Sequence, residues 1–144
     1  MSAYADTSLL LSYYVTDANS PSAQAVLHAA TDPLAFTDLH RLEMRNALAL
    51  GAFRGILTSV QLRTAWSDVE SDLRSGRLVH QPVNWRSVYR AAAEWAALHS
   101  PTLGCRSLDV LHVTVARKLN VKEFFTFDAR QRSLALTLGL VARP

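Results

Sequence analysis

Short apolar runs alternate with longer segments of helical periodicity along most of this chain. Ala3 to Ala5 leads into Asp6, and Thr7 and Ser8 then offer helix caps ahead of Leu9, Leu10 and Leu11. The spacing predicts a strand, an acid at its carboxyl end, and a helix. Ser20-Pro21 opens another helix, with proline near its first position, and Asp32-Pro33 breaks it. Leu34 to Thr37 reads as a second strand. A helix follows from Leu39 to Arg54, capped by Thr37 or Asp38 and ended by Gly55.

The next two helices carry the clearest periodicity. Leu62, Ala65, Trp66, Val69 and Leu73 mark one apolar face, and Val88, Tyr89, Ala92, Trp95 and Ala96 mark the other. Between them a strand is expected within Arg77 to Val83, with Asn84 as the next cap. Ser100 to Gly104 reads as a loop, since Pro101 and Gly104 are both breakers. A helix from Arg130 to Leu138 and a last strand at Leu140 to Ala142 close the chain. Short apolar strands alternating with helices predict a parallel sheet covered on both faces. The fold class is α/β and rich in helix.

The stretch from Arg106 to Asp128 concentrates the chemistry. Its helix, with Ser107 as expected cap, has Leu108, Val110, Leu111, Val113, Val115, Ala116 and Leu119 on most of its sides, which predicts burial. Asp109 lies in its first turn, against that apolar wall. Phe124 to Phe127 is then an apolar run ending in Asp128, as a central parallel strand would. A charge at the carboxyl end of such a strand lies where open α/β sheets place ligands.

At 144 residues the chain is read as one domain, residues 1–144, large enough for a core without staples. No apolar run approaches the length of a membrane span, and the start, MSAYADTSLL, has no basic leader region. The single cysteine, Cys105, excludes an intramolecular disulfide and fits a reducing cytoplasm. A net charge of +3, mostly arginine, fits a polyanionic partner or simply a basic protein.

Most of the twelve acidic residues suit a solvated face or a helix cap. Glu43 does not: with Leu39, Asn46, Ala47 and Leu50 it falls on the stripe expected to be buried, and Arg41 and Arg45 take the other side. An ionised carboxylate there needs a partner. It is either a buried salt bridge to an arginine, or a sign that this face opens onto a cleft. Asp6, Glu43, Asp109 and Asp128 thus all sit where an apolar pattern does not want them, and all four could converge at one end of a parallel sheet. Such a cluster would repel itself unless a cation relieved it. All-oxygen ligands favour Mg2+ or Mn2+ over zinc, and a carboxylate-held metal suits phosphodiester hydrolysis.

The motifs YADTSLLL, LEMRNAL, RSLDVLHVTVARKLNV and FFTFDARQ, followed by LGL, occur in this order along nearly the whole chain. In that order and spacing the chain resembles the PIN-domain ribonucleases, and most closely the toxins of VapBC-type toxin–antitoxin pairs. The resemblance implies a three-layer α/β/α sandwich around a small, mainly parallel sheet. It matches Asp6, Glu43, Asp109 and Asp128 to the family's acidic metal-binding set, Thr7 or Ser8 and Thr126 to the hydroxyls flanking it, and Asn46 to the asparagine after the family's glutamate. The implied activity is Mg2+- or Mn2+-dependent cleavage of RNA, often tRNA or ribosomal RNA. A VapB-like antitoxin would mask the site, and the toxin would form a homodimer.

Around that set, His112 is read as a structural, hydrogen-bonded histidine or, less simply, a metal ligand or proton shuttle. His40, near the start of the Glu43 helix, is read as no stronger a candidate than His112, and His28, His80 and His99 as incidental. Arg106 matches an arginine common at this position in the toxin group and would contact phosphate or pair with a site acid. Arg41, Arg45, Arg130 and Arg132 are candidate phosphate contacts. A different class of function, a catalytically silent RNA- or protein-binding module on the same scaffold, predicts the same fold without turnover. An aspartyl-nucleophile phosphatase is disfavoured, because Asp6-Thr7-Ser8 lacks a second acid two residues on.

Overall fold

The computed structural model describes residues 3–144; Met1 and Ser2 lie outside them. Five short strands alternate with seven helices among these residues: β1 (Ala3–Ala5), α1 (Thr7–Tyr14), α2 (Ser20–Ala29), β2 (Leu34–Phe36), α3 (Asp38–Phe53), α4 (Ser59–Ser75), β3 (Leu78–His80), α5 (Trp85–Leu103), α6 (Ser107–Lys118), β4 (Glu123–Phe125), α7 (Ala129–Thr137) and β5 (Val141–Arg143). The strands form one sheet in the order β3-β2-β1-β4-β5. Every pairing is parallel, so the sheet is wholly rather than mainly so.

Strand alternation divides the core in two. Ala3, Ala5, Leu34, Phe36 and Phe125 face the layer of α1, α2, α3 and α4, packing on Leu10, Leu27, Met44, Leu48 and Val69. Tyr4, Ala35 and Phe124 face the other way, onto Val88, Val110, Val113 and Leu134 of α5, α6 and α7. The three-layer sandwich follows from that alternation.

The chain builds outward from β1 through β2 to β3, then returns to add β4 and β5 on the other side. Between β1 and β4 the strand order reverses, and there the connections leave in opposite directions and open a crevice at the carboxyl ends. Asp6 follows β1 directly, and Thr126 and Asp128 follow β4. The topology itself puts a site here.

Several element ends differ from the sequence reading. The expected loop at Ser100 to Gly104 is the last turn of α5, which carries Pro101 inside it. Proline already has a helical φ and forfeits one hydrogen bond near the helix end, and α5 stops at Gly104, in the left-handed region at φ 66°. Helix α6 starts one residue early, with Arg106 rather than Ser107 as cap, because Asp109 accepts the Arg106 N–H at 3.0 Å. Leu108 is half exposed, and the unbroken buried run of α6 begins only at Asp109. Strand β4 ends at Phe125, leaving Thr126 and Phe127 as the turn that delivers Asp128 to the start of α7.

Candidate active site

Asp6 is the N-cap of α1 and is buried. One of its oxygens accepts the Leu9 N–H at 2.8 Å, and the other accepts the hydroxyls of Ser8 at 2.9 Å and Thr126 at 3.0 Å. These donors are all neutral. Burial pushes the Asp6 carboxyl above its ordinary range, against the pull of the Leu9 N–H and the nearby His112. Thr126 also accepts the Asp128 N–H at 3.0 Å, so one hydroxyl ties the end of β1 to the turn after β4.

Glu43 enters from α3. The buried stripe of that helix runs through Leu39, His40, Met44 and Leu48, so Glu43 stands at its margin and is half-buried. Asn46 and Leu50, expected on the same buried stripe, are exposed. The partner of Glu43 is neither an arginine nor open solvent. It is His112 of α6, whose Nε2 bonds the Glu43 carboxylate directly. The Thr7 hydroxyl donates to the same Glu43 oxygen at 2.7 Å and lies 3.3 Å from His112 Nε2. Behind it, the Tyr4 hydroxyl meets His112 Nδ1 at 2.7 Å. With Tyr4 donating to Nδ1, Nε2 carries the proton toward Glu43. Burial pushes the Glu43 carboxyl up, but its bonds to His112 and Thr7 outweigh that and hold it below its ordinary value.

His40 supports the floor. Fully buried, it accepts the Thr37 N–H through Nδ1 at 3.0 Å and donates from Nε2 to the carbonyl of Ala5 at 2.8 Å. Burial lowers its pKa to about 3. It stays neutral and fixes the backbone that precedes Asp6.

Asp109 and Asp128 form the outer side. Asp109 is buried in the first turn of α6, while Asp128 caps α7, one oxygen accepting the N–H groups of Arg130 and Gln131 at 2.9 Å each. The Arg106 guanidinium lies across both acids, with Nε 3.1 Å and Nη2 3.4 Å from Asp109 and Nη2 3.7 Å from Asp128. Arg130 and Arg132 instead donate to the carbonyls of Gly104 and Thr126. Arg41 and Arg45 lie over aromatic rings, Arg45 stacking 3.9 Å above Trp66, rather than standing free for phosphate. The Cys105 thiol is pushed up by burial, which suits no nucleophile.

The fold therefore gathers Asp6, Thr7, Ser8, Glu43, Arg106, Asp109, Thr126 and Asp128 around the β1–β4 crevice, and it leaves Asn46 on the surface. Two supports went unrecognised in the sequence, Tyr4 and His40, because each reads as an ordinary core or cap position. The position of His112, one turn after Asp109, was the available signal for its role. The site donors are mostly carboxylate oxygens, which fits a hard divalent cation, and buried Asp6, under neutral donors alone, is an anion suited to such a partner. As held by Arg106 and His112, however, no three acidic, histidine or cysteine side chains among the described residues converge on one metal position.

The profile of the PIN domain matches residues 3–136. The chain belongs to the PIN-domain family. Two solved structures share its fold along nearly their whole length. VapC20 of Mycobacterium tuberculosis, a sarcin–ricin loop cleaving toxin, aligns with a TM-score of 0.67 at 18% identity, covering 99% of this chain and 100% of its own. FitAcB from Neisseria gonorrhoeae aligns with a TM-score of 0.68 at 16% identity, covering 99% and 96% respectively. At these identities the likeness concerns the fold. No curated protein matches the chain significantly. Among the described residues of this PIN domain, no helix is long and apolar enough to cross a membrane.

Proposed function

We propose that this PIN domain is a metal-dependent endoribonuclease of the toxin type, hydrolysing RNA phosphodiester bonds and silenced by a cognate VapB-like antitoxin. The observation that carries the reading is the set Asp6, Glu43, Asp109 and Asp128, brought from four different elements to the carboxyl ends of β1 and β4 in a PIN fold. These four residues would hold Mg2+ or Mn2+. A bound divalent ion supplies an activated water and charge stabilisation on the phosphoryl oxygens.

The chain's own residues prepare that chemistry. Ser8, Thr126 and the Leu9 N–H aim the Asp6 oxygens, and His112 and Thr7 keep Glu43 ionised and fixed. Ionised Glu43 is able to orient a water or take its proton. Arg106, at the solvent edge, is placed to meet a phosphate. Support for a protein partner comes from an apolar hollow of about 560 Å3 between α1, α3 and α4, lined by Leu11, Tyr14, Leu50, Ile56 and Val60. We place tRNA or ribosomal RNA as the substrate and a homodimer as the working toxin, the latter read out by light scattering.

Purified protein should cleave RNA with Mg2+ or Mn2+, stop in chelator, and lose cleavage in Asp6→Asn or Asp109→Asn. Full activity in excess chelator would overturn the reading. The spread of the acids under Arg106 favours a second reading, a silent RNA- or protein-binding PIN module. That reading expects salt-dependent RNA binding without turnover, indifferent to the same two substitutions.

A further inference from the structure

Asp109 and Asp128 come from different helices yet turn toward one cation. Asp109 gives both oxygens to the Arg106 fork, and one of them also takes the Arg106 backbone N–H. Asp128 has one oxygen committed to the two N–H groups of α7, and its other oxygen is the one nearest Arg106. The remaining arginines around this end, Arg130 and Arg132, are tied to backbone carbonyls. Arg106 is thus the guanidinium that neutralises the outer acids. Its side chain is 71% exposed, whereas that of Asp109 is 10% exposed.

We propose that Arg106 is an internal counter-ion that competes with the divalent metal for Asp109 and Asp128, and that metal loading drives its guanidinium out to solvent. The inference rests on the metal-dependent reading above. A guanidinium and a doubly charged ion repel each other when both lie against the same carboxylates, so both cannot hold Asp109 at full strength. Leaving costs Arg106 itself little, because its guanidinium is exposed and readily hydrated, and the metal would take over the charge of the buried Asp109 carboxylate. The start of α6 survives the change, since it is the backbone N–H of Arg106 that bonds Asp109. The displaced guanidinium is then free beside the crevice for the phosphate of a bound RNA. With Arg106 seated on Asp109 and Asp128, no three acidic, histidine or cysteine side chains among the described residues converge on one metal position.

The test is calorimetric titration of RNA-free protein with MnCl2. Arg106→Gln should bind Mn2+ about tenfold more tightly than the parent, the order expected for removing one positive charge near a divalent ion. Arg106→Lys, which keeps the charge but loses the fork, should return most of the way to parent affinity. Equal or weaker Mn2+ binding by Arg106→Gln, with both proteins binding the ion, would overturn the counter-ion role and leave the metal reading intact. Failure of parent and variant alike to take up Mn2+ would overturn both.

Discussion

The two sides of the crevice solve the same electrostatic problem differently. On the inner side, Glu43 is matched to His112, with Thr7 and Tyr4 completing a chain of buried hydrogen bonds. On the outer side, Asp109 and Asp128 are matched to an arginine that lies mostly in water. The inner arrangement is costly to disturb, because a fully buried Tyr4 hydroxyl and a half-buried Glu43 carboxylate would be left without a partner. The outer one rests on a guanidinium that is mostly in water, above a buried Asp109 carboxylate. The crevice thus has one rigid wall, built on a buried histidine, and, on the counter-ion proposal, one exchangeable wall completed by an exposed arginine.

Substitutions sharpen that contrast in order of expected size. Asp6→Asn removes the buried acid that follows β1, and Asp109→Asn removes one acid of the outer wall. RNA cleavage in Mn2+ should fall by more than the roughly 10–100-fold that loss of an outer supporting group costs, and single-turnover assays would measure it. Retention of parent rates in both would break the assignment of the acids altogether.

His112→Ala strikes the rigid wall. Tyr4 and Glu43 lose their common partner, at a cost of about 1–3 kcal/mol. The melting temperature should drop by roughly 5 °C, and His112→Gln, which can still donate to Glu43, should recover part of it. An unchanged melting temperature for His112→Ala would show that the inner network is not rigid in the sense argued.

Acid titration separates the walls in another way. The pKa of His40 is lowered to about 3 in the folded chain, below its ordinary value of 6.5. Folding therefore favours the neutral ring. Its stabilisation is complete above about pH 6.5 and is lost as the pH falls toward 3, by at most about 1.4 kcal/mol per pH unit. Denaturation curves at stepped pH should show that slope in the parent and a shallower one in His40→Gln. Parallel curves would mean that His40 is not held neutral by burial.

The smallest effect belongs to the exchangeable wall. Arg106→Gln should lower the melting temperature in metal-free buffer by less than His112→Ala does, because its guanidinium is exposed and its backbone N–H to Asp109 is kept. A large drop would make the arginine a structural clamp rather than an exchangeable counter-ion.

Much of this architecture was legible from local pattern. The sequence of strands and helices, the two faces of the sheet and the location of Asp6 beyond β1 all follow from periodicity and caps, which act over a few residues. The misplacements were local as well. Pro101 is a breaker by type, but a helix near its end tolerates it, and Ser107 gives way as cap to Arg106, which donates its backbone N–H to Asp109. Glu43 stands out in the sequence pattern, but nothing local points to its partner. An arginine was the natural guess, and the answer was a histidine 69 positions away on another helix.

Sequence alone thus determined that Asp6 and Asp128 would follow strands and that Asp109 would lie in the first turn of a buried helix, because those positions follow from the side-chain period of helices and strands. It did not determine what each acid would meet. Asp6 finds Thr126 across 120 positions, Thr7 finds Glu43 across 36, and Tyr4 finds His112 across 108. Such pairings are set by strand order and by which helix covers which face of the sheet, and hence by the packing of the whole chain.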